Sequence, residues 1–108
     1  MVKRTVDIEI VNTIKKYIEE ISRYYKIDAV ILFGSYAKGT NTEHSDIDIA
    51  VISNDIINKF DDMAILMKLR RKIDLRIEPY PIKTDEFNKS ETPFINEVKR
   101  TGIELYAA

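Results

Sequence analysis

Residues 32–53 read LFGSYAKGTNTEHSDIDIAVIS. An apolar run stops at Gly34-Ser35, a polar loop follows, and a second apolar run opens with two carboxylates, Asp46 and Asp48. In a strand, residues i and i+2 share a face, so these carboxylates lie side by side, roughly 6–7 Å apart at the backbone. Two anions that close, beside apolar residues, repel each other and resist desolvation. They are either hydrated at an exposed strand end or compensated by a cation, and a divalent metal between them is the economical compensation. The strict alternation from Asp46 gives way to uniformly apolar residues before Ser53. That pattern predicts a strand over 46–53 with one end at a solvated site and the other in the core.

The flanking sequence supplies partners for this strand. Residues 28–33, DAVILF, form a short apolar run bounded by turn signals, as a buried strand does. Residues 7–25 place Ile10, Val11, Ile14, Ile18 and Ile21 at helical spacing, with Glu9, Lys15, Lys16, Glu19 and Glu20 largely between them. SYAKG after Gly34 predicts about one helical turn ended by Gly39. Residues 55–68 repeat the helical spacing, with Asn54 or Asp55 as cap. Residues 72–80, KIDLRIEPY, alternate again, with Ile73, Leu75 and Ile77 on one face and Asp74, Arg76 and Glu78 on the other; Pro79 and Pro81 are expected to end that strand. A short helical turn over 84–88, a helix opened by Pro93 and stopped by Gly102, and a final strand IELY complete the chain. The expected class is α/β (α+β), a small mixed sheet flanked by helices, with the helices on one side.

Composition narrows the chemistry. The 108 residues suit one domain, 1–108, and 44% apolar content suits a globular one. A net charge of −1 disfavours nucleic-acid binding through bulk positive charge, although the basic run KLRRK over 68–72 leaves a local contact open. There is no cysteine and His44 is the single histidine, so a metal would take oxygen ligands, as Mg²⁺, Mn²⁺ and Ca²⁺ do. No apolar stretch approaches the roughly 18 residues of a membrane span, and the first residues lack a signal-peptide core. A soluble, cytoplasmic protein is expected.

Asp74 lies on the second alternating run. If that strand pairs beside 46–53, Asp74 reaches the face of Asp46 and Asp48; the alternative is a rim carboxylate paired with Arg71 or Arg76. Three such carboxylates make a site for one or two Mg²⁺ ions, typically about 3.5–4 Å apart, that clamp the attacking and leaving oxygens of a phosphoryl displacement. Gly34 lets backbone approach a ligand, and Ser35 opens a helical turn whose positive end suits phosphate oxygens, unless it is a simple cap. Lys38, one turn on, either neutralises phosphate or stays solvated. The pieces describe a nucleoside triphosphate gripped at Ser35 and reacting at Asp46 and Asp48, with Asp74 taking the acceptor's proton. His44 reads as a solvated loop residue, and Tyr24 and Tyr25 as packing residues.

Gly34-Ser35, ten residues, then Asp46-x-Asp48, with Ala37, Gly39 and Ser45 between, resembles the signature of the DNA polymerase beta-like nucleotidyltransferase superfamily. Within it the chain is similar to minimal nucleotidyltransferase (MNT) proteins, many of which pair with a helical HEPN partner as toxin and antitoxin. Residues 93–106, PFINEVKRTGIELY, resemble the end of such domains. The resemblance implies ATP or another NTP as donor and Mg²⁺ as cofactor, two ions, with Mn²⁺ an alternative. It implies Asp46 and Asp48 as catalytic metal ligands with Asp74 as the third carboxylate, and Gly34 and Ser35 on the nucleotide's triphosphate; Lys38 and Ser45 are expected beside them as further phosphate-binding residues. It also implies transfer of AMP to a hydroxyl, such as a tyrosine of a HEPN toxin. So short a chain leaves no room for a second-substrate domain, so a partner or a second copy, as in a homodimer, is expected to complete the acceptor surface. A contact-only antitoxin and a metal-stabilised structural domain are the alternatives.

Overall fold

The structure, a computed structural model, describes residues 6–108. The first five residues, part of the stretch read as lacking a signal peptide, lie outside the described residues. Helix α1 (Ile8–Ile21) is capped by the Asp7 carboxylate, which accepts from Glu9 N, and it buries Ile10, Ile14, Tyr17, Ile18 and Ile21 along one stripe. It stops before residue 25 because the chain turns to drop Tyr25 into the core. Strand β1 (Ala29–Phe33), the single-turn α2 (Ser35–Lys38) and strand β2 (Ile47–Ile52) follow, joined by the expected polar loop. Then come α3 (Lys59–Leu69), one 3₁₀ turn (Arg70–Lys72), β3 (Ile77–Ile82), α4 (Thr84–Lys89), α5 (Pro93–Thr101) and β4 (Ile103–Ala107).

The sheet order is β3-β2-β1-β4. β1 runs antiparallel to both β2 and β4, whereas β2 and β3 are parallel, as a strand-helix-strand crossover through α3 requires. Val30, Leu32, Ile47, Ile49, Val51 and Ile77 pack on one face with the α1 stripe and Leu66. Ile31, Phe33, Ala50, Ile52 and Ile82 pack on the other with Ile95 and Val98 of α5. The helices therefore cover both faces, not the one side expected. Consecutive apolar residues in β1 and β2 send apolar groups to both faces, and each face needs a cover. Among the described residues no helix is long and apolar enough to cross a membrane.

Two expected elements shift. The alternation over 72–80 is not a strand throughout: β3 begins only at Ile77 and runs to Ile82. The Asp74 carboxylate accepts from Arg76 N at 2.9 Å, an Asx-type turn that bends the chain before the sheet. Pro79 and Pro81 sit within β3 instead of ending it, which an edge strand tolerates because the lost donors fall on its unpaired side. Helix α3 starts at Lys59 behind Asn58, whose side chain accepts from Phe60 N and Asp61 N, and not behind Asn54 or Asp55. Asp55 instead accepts from Lys26 N at 2.7 Å.

Asp62 fastens this entry. It is buried, and its carboxylate accepts from the Tyr25 hydroxyl at 2.7 Å, Ile57 N at 2.8 Å and Asn58 N at 3.1 Å. Burial pushes its pKa up, but the bonds from Tyr25, Ile57 and Asn58 outweigh burial and hold it below the ordinary carboxylate range. A depressed pKa means stability that is complete at neutral pH and lost as pH falls below about 4. Asp62→Ala strands three donors and is expected to lower unfolding free energy by about 2–4 kcal/mol in urea titrations. Asp62→Asn is expected to flatten the acid limb of the stability-pH curve.

Candidate active site

Gly34 ends β1 with φ +74°, a conformation that L side chains rarely adopt, and its carbonyl accepts from Ala37 N and Lys38 N, both at 3.1 Å, to close α2. Gly39, also left-handed, ends that turn. The β1–β2 register sets Phe33 opposite Asp48, so Gly34 lies directly beside the Asp48 carboxylate. A Cβ on Gly34 would collide with Asp48 Oδ2. The glycine is thus needed twice, for its backbone angle and for the space that the carboxylate fills.

Asp48 is half-buried on the α5 face of the sheet, and the parallel register places Glu78 of β3 opposite it. Burial, then Asp46, then Glu78 push the Asp48 pKa up, while the Tyr80 hydroxyl pulls it down. The Tyr80 hydroxyl is pushed up in turn, by burial and then by Asp48, Glu78 and Asp46. Asp46, Asp48, Glu78 and Tyr80 therefore form one electrostatic constellation at the open end of the sheet.

Asp74 is not part of it. Its carboxylate is held by Arg76 through Nη2 at 2.8 Å, Nε at 3.1 Å and the backbone N–H, and the Arg76 bonds hold it below the ordinary range. Arg76 Nη1 also reaches the Tyr36 hydroxyl of α2 at 3.4 Å. The third carboxylate that the structure brings to Asp48 is Glu78, which the sequence reading placed on the Asp74 face without a role. Period-two alternation puts 74 and 78 on one face; the turn at 73–76 removes 74 from the strand, and only the register identifies 78. Glu78 is approached by Arg70 Nη1 at 4.0 Å, and that guanidinium donates to Ile77 O at 2.7 Å.

The expected phosphate residues divide. Gly34 and Ser35 stand at the start of α2, next to Asp48. Lys38 pairs with Glu97 of α5 at 3.1 Å. Ser45 closes the loop before β2: its Oγ accepts from Thr42 N at 2.8 Å and its N–H donates to Thr42 O at 3.1 Å. It holds Asp46 in place from one residue away. His44 is exposed, as read, and Tyr25 is buried against Asp62.

Among the described residues no three carboxylates converge into a ready-made metal cluster. The donor set nevertheless fits Mg²⁺ or Mn²⁺. It is all oxygen, and a bound cation would relieve the burial and the repulsion from Asp46 and Glu78 that raise Asp48. Asp46 and Asp48 would hold such an ion, with Glu78 alongside.

Residues 5–108 match the family described as Polymerase beta, Nucleotidyltransferase. The chain belongs to that family. The identity read from Gly34-Ser35 and Asp46-x-Asp48 thus extends over almost the whole chain, and the structure is a nucleotidyltransferase domain. It is 34% identical over 102 residues to "Putative protein adenylyltransferase MJ0141" of Methanocaldococcus jannaschii, a match spanning 90% of this chain and 99% of that protein. It is 36% identical over 81 residues to protein adenylyltransferase MntA of Shewanella oneidensis, spanning 75% of this chain and 55% of that protein. A chain from a crystal structure of a toxin-antitoxin with AMP-PNP superposes with a TM-score of 0.60 at 25% identity, covering 91% of this chain and 73% of that one.

Repulsion at Asp48 makes a testable prediction. Without divalent cations, Asp48→Asn is expected to raise unfolding free energy by about 1 kcal/mol, since it removes one of three crowded charges. Adding Mg²⁺ to tenfold above its dissociation constant is expected to stabilise the unsubstituted protein by about 1.4 kcal/mol by mass action and the variant by much less. Thermal unfolding with EDTA and with Mg²⁺ measures both.

Proposed function

We propose that this nucleotidyltransferase domain moves AMP from ATP to a hydroxyl of a partner protein, a tyrosine of a HEPN toxin, with Mg²⁺ as cofactor and Mn²⁺ as an accepted substitute. On this reading it is the antitoxin of its pair. The observation that carries the proposal is the lateral order Gly34, Asp48, Glu78 across β1, β2 and β3. It sets the Gly34 turn at the start of α2 beside one carboxylate and a second carboxylate beyond it. The adenylyltransferase names of the relatives and the AMP-PNP complex support ATP as donor.

The side chains divide the work as follows. Gly34 and Ser35 hold the triphosphate at the start of α2, where backbone N–H groups face outward. Asp46 and Asp48 would hold the metal, which when bound would polarise phosphoryl oxygens and lower the acceptor hydroxyl's pKa. Glu78 takes the proton from that hydroxyl. The acceptor oxygen bonds to the α-phosphorus, the bond from that phosphorus to the bridging oxygen breaks, and pyrophosphate leaves with the electron pair. Tyr80 eases ionisation of Asp48.

A contact-only antitoxin is the second reading, favoured by the toxin-antitoxin complex in which a structural neighbour was solved. It expects the Asp46→Asn, Asp48→Asn double variant to neutralise a toxin partner as well as the unsubstituted chain does. Catalysis expects that neutralisation to disappear while the complex persists. In transfer assays with α-labelled ATP, Glu78→Gln is expected to cut label incorporation at least about a hundredfold, the loss of several kcal/mol of transition-state stabilisation. Asp74→Asn is expected to cost less than about tenfold, because Asp74 acts only on the Arg76 turn. Equal losses would restore Asp74 to the site.

A further inference from the structure

In-line displacement puts the attacking and leaving oxygens on opposite sides of the reacting phosphorus. Gly34 and Ser35 lie on the β1 side of Asp48, so pyrophosphate departs toward β1 and α2. The acceptor must then arrive from the β3 side, past Glu78 and Tyr80.

That side is apolar. A groove of about 200 Å³ runs along the outer edge of β3, lined by Lys59, Phe60 and Met63 of α3, Tyr80 and Pro81 of β3 and Phe94 of α5. Phe60 is 87% exposed and Phe94 41% exposed. The Tyr80 ring packs on Phe33 and Phe94, with centroids 5.1 and 5.6 Å away, and Tyr80 stands two residues past Glu78 on the same face of β3, diagonal to Asp48. One residue thus belongs to both the groove and the catalytic constellation. The single charge in this lining, Lys59, is paired with Glu86 at 3.0 Å. Pro79 and Pro81 take donors off the β3 edge, so an added strand is poorly held there and an occupant must be held by its side chains.

We infer that this groove docks the acceptor protein. Apolar side chains flanking the acceptor hydroxyl bury against Phe60, Met63 and Phe94, and the hydroxyl reaches past Tyr80 to Glu78. The inference rests on the transfer reading above and adds to it the character of the acceptor segment: a protein hydroxyl with apolar neighbours. A nucleic acid would bring phosphates to a lining whose one cation is already paired. The nucleotide's base is the other candidate occupant, and the test separates the two.

The protein, with Mg²⁺ and AMP-PNP, is titrated with two short synthetic tyrosine peptides, one with Leu and Phe beside the tyrosine and one with Ser and Gly. Binding is followed by NMR, and transfer is followed separately with labelled ATP. The apolar peptide is expected to bind about tenfold tighter and to shift the resonances of Phe60, Met63 and Phe94. Phe60→Ser is expected to weaken it about tenfold, Phe60→Leu to restore it, and AMP-PNP affinity to stay unchanged in both. Because Phe60 is almost fully exposed, neither substitution threatens the fold. Equal affinity for the two peptides, absence of binding, shifts elsewhere, an unchanged dissociation constant in Phe60→Ser, or weakened AMP-PNP binding would each overturn the inference. Binding is read without turnover, so a peptide seated in the groove that never receives AMP would sink the transfer reading and leave the groove standing. Transfer that ignores Phe60 would do the reverse.

Discussion

Asp48 is a half-buried carboxylate wedged against a glycine, with Asp46 before it on the chain and Glu78 beside it on the next strand. Most of the molecule's local structure serves that arrangement. The absent Cβ of Gly34 leaves the space that the carboxylate fills. The parallel register of β2 and β3 sets Glu78 opposite. Burial, and then the charges of Asp46 and Glu78, raise the cost of ionising Asp48 at the end of an apolar sheet. A fold that keeps such a cluster holds an unmet demand for positive charge, and an oxygen-only donor set makes a hard divalent cation the natural answer.

The sheet makes that cluster possible by burying both of its faces everywhere else. The α1 and α3 side carries the larger apolar cluster, and α5 seals the opposite face behind Phe33, Ala50, Ile52 and Ile82. Because α5 covers only part of its face, the end that bears Asp48 and Glu78 stays accessible. The Phe33, Tyr80 and Phe94 rings mark the boundary, packed edge-on or tilted at 5.1 to 5.6 Å. Apolar packing and catalytic charge meet at Tyr80, whose ring belongs to the first and whose hydroxyl belongs to the second.

Much of this could be read from residues alone, because it rests on local rules. The Gly34 turn, the one-turn helix to Gly39, the strand after Asp46 and the Pro93 helix follow from backbone preferences and hydrophobic period, and each appears within a residue or two. The start of α3 was misplaced because its entry is set by Asp62 and Tyr25, which are 37 residues apart. Lys38 and Ser45 looked like phosphate residues by position, yet their partners are Glu97 on a distant helix and Thr42 within the loop. A motif specifies which residue types are near a site and not which of their hydrogen bonds are already taken.

The third carboxylate marks the limit of the sequence most clearly. Alternation alone makes Asp74 and Glu78 equivalent, since period two cannot tell where a strand begins. Two local facts decide between them only after folding: Asp74 is bound by Arg76 in a turn, and Glu78 lies in register with Asp48. The sequence by itself determined the family, the paired aspartates and the glycine beside them, because these depend on neighbours a few residues apart. The tertiary structure decided which acidic residue lies beside Asp48 and where the apolar groove stands, because both depend on how separate elements align across the sheet.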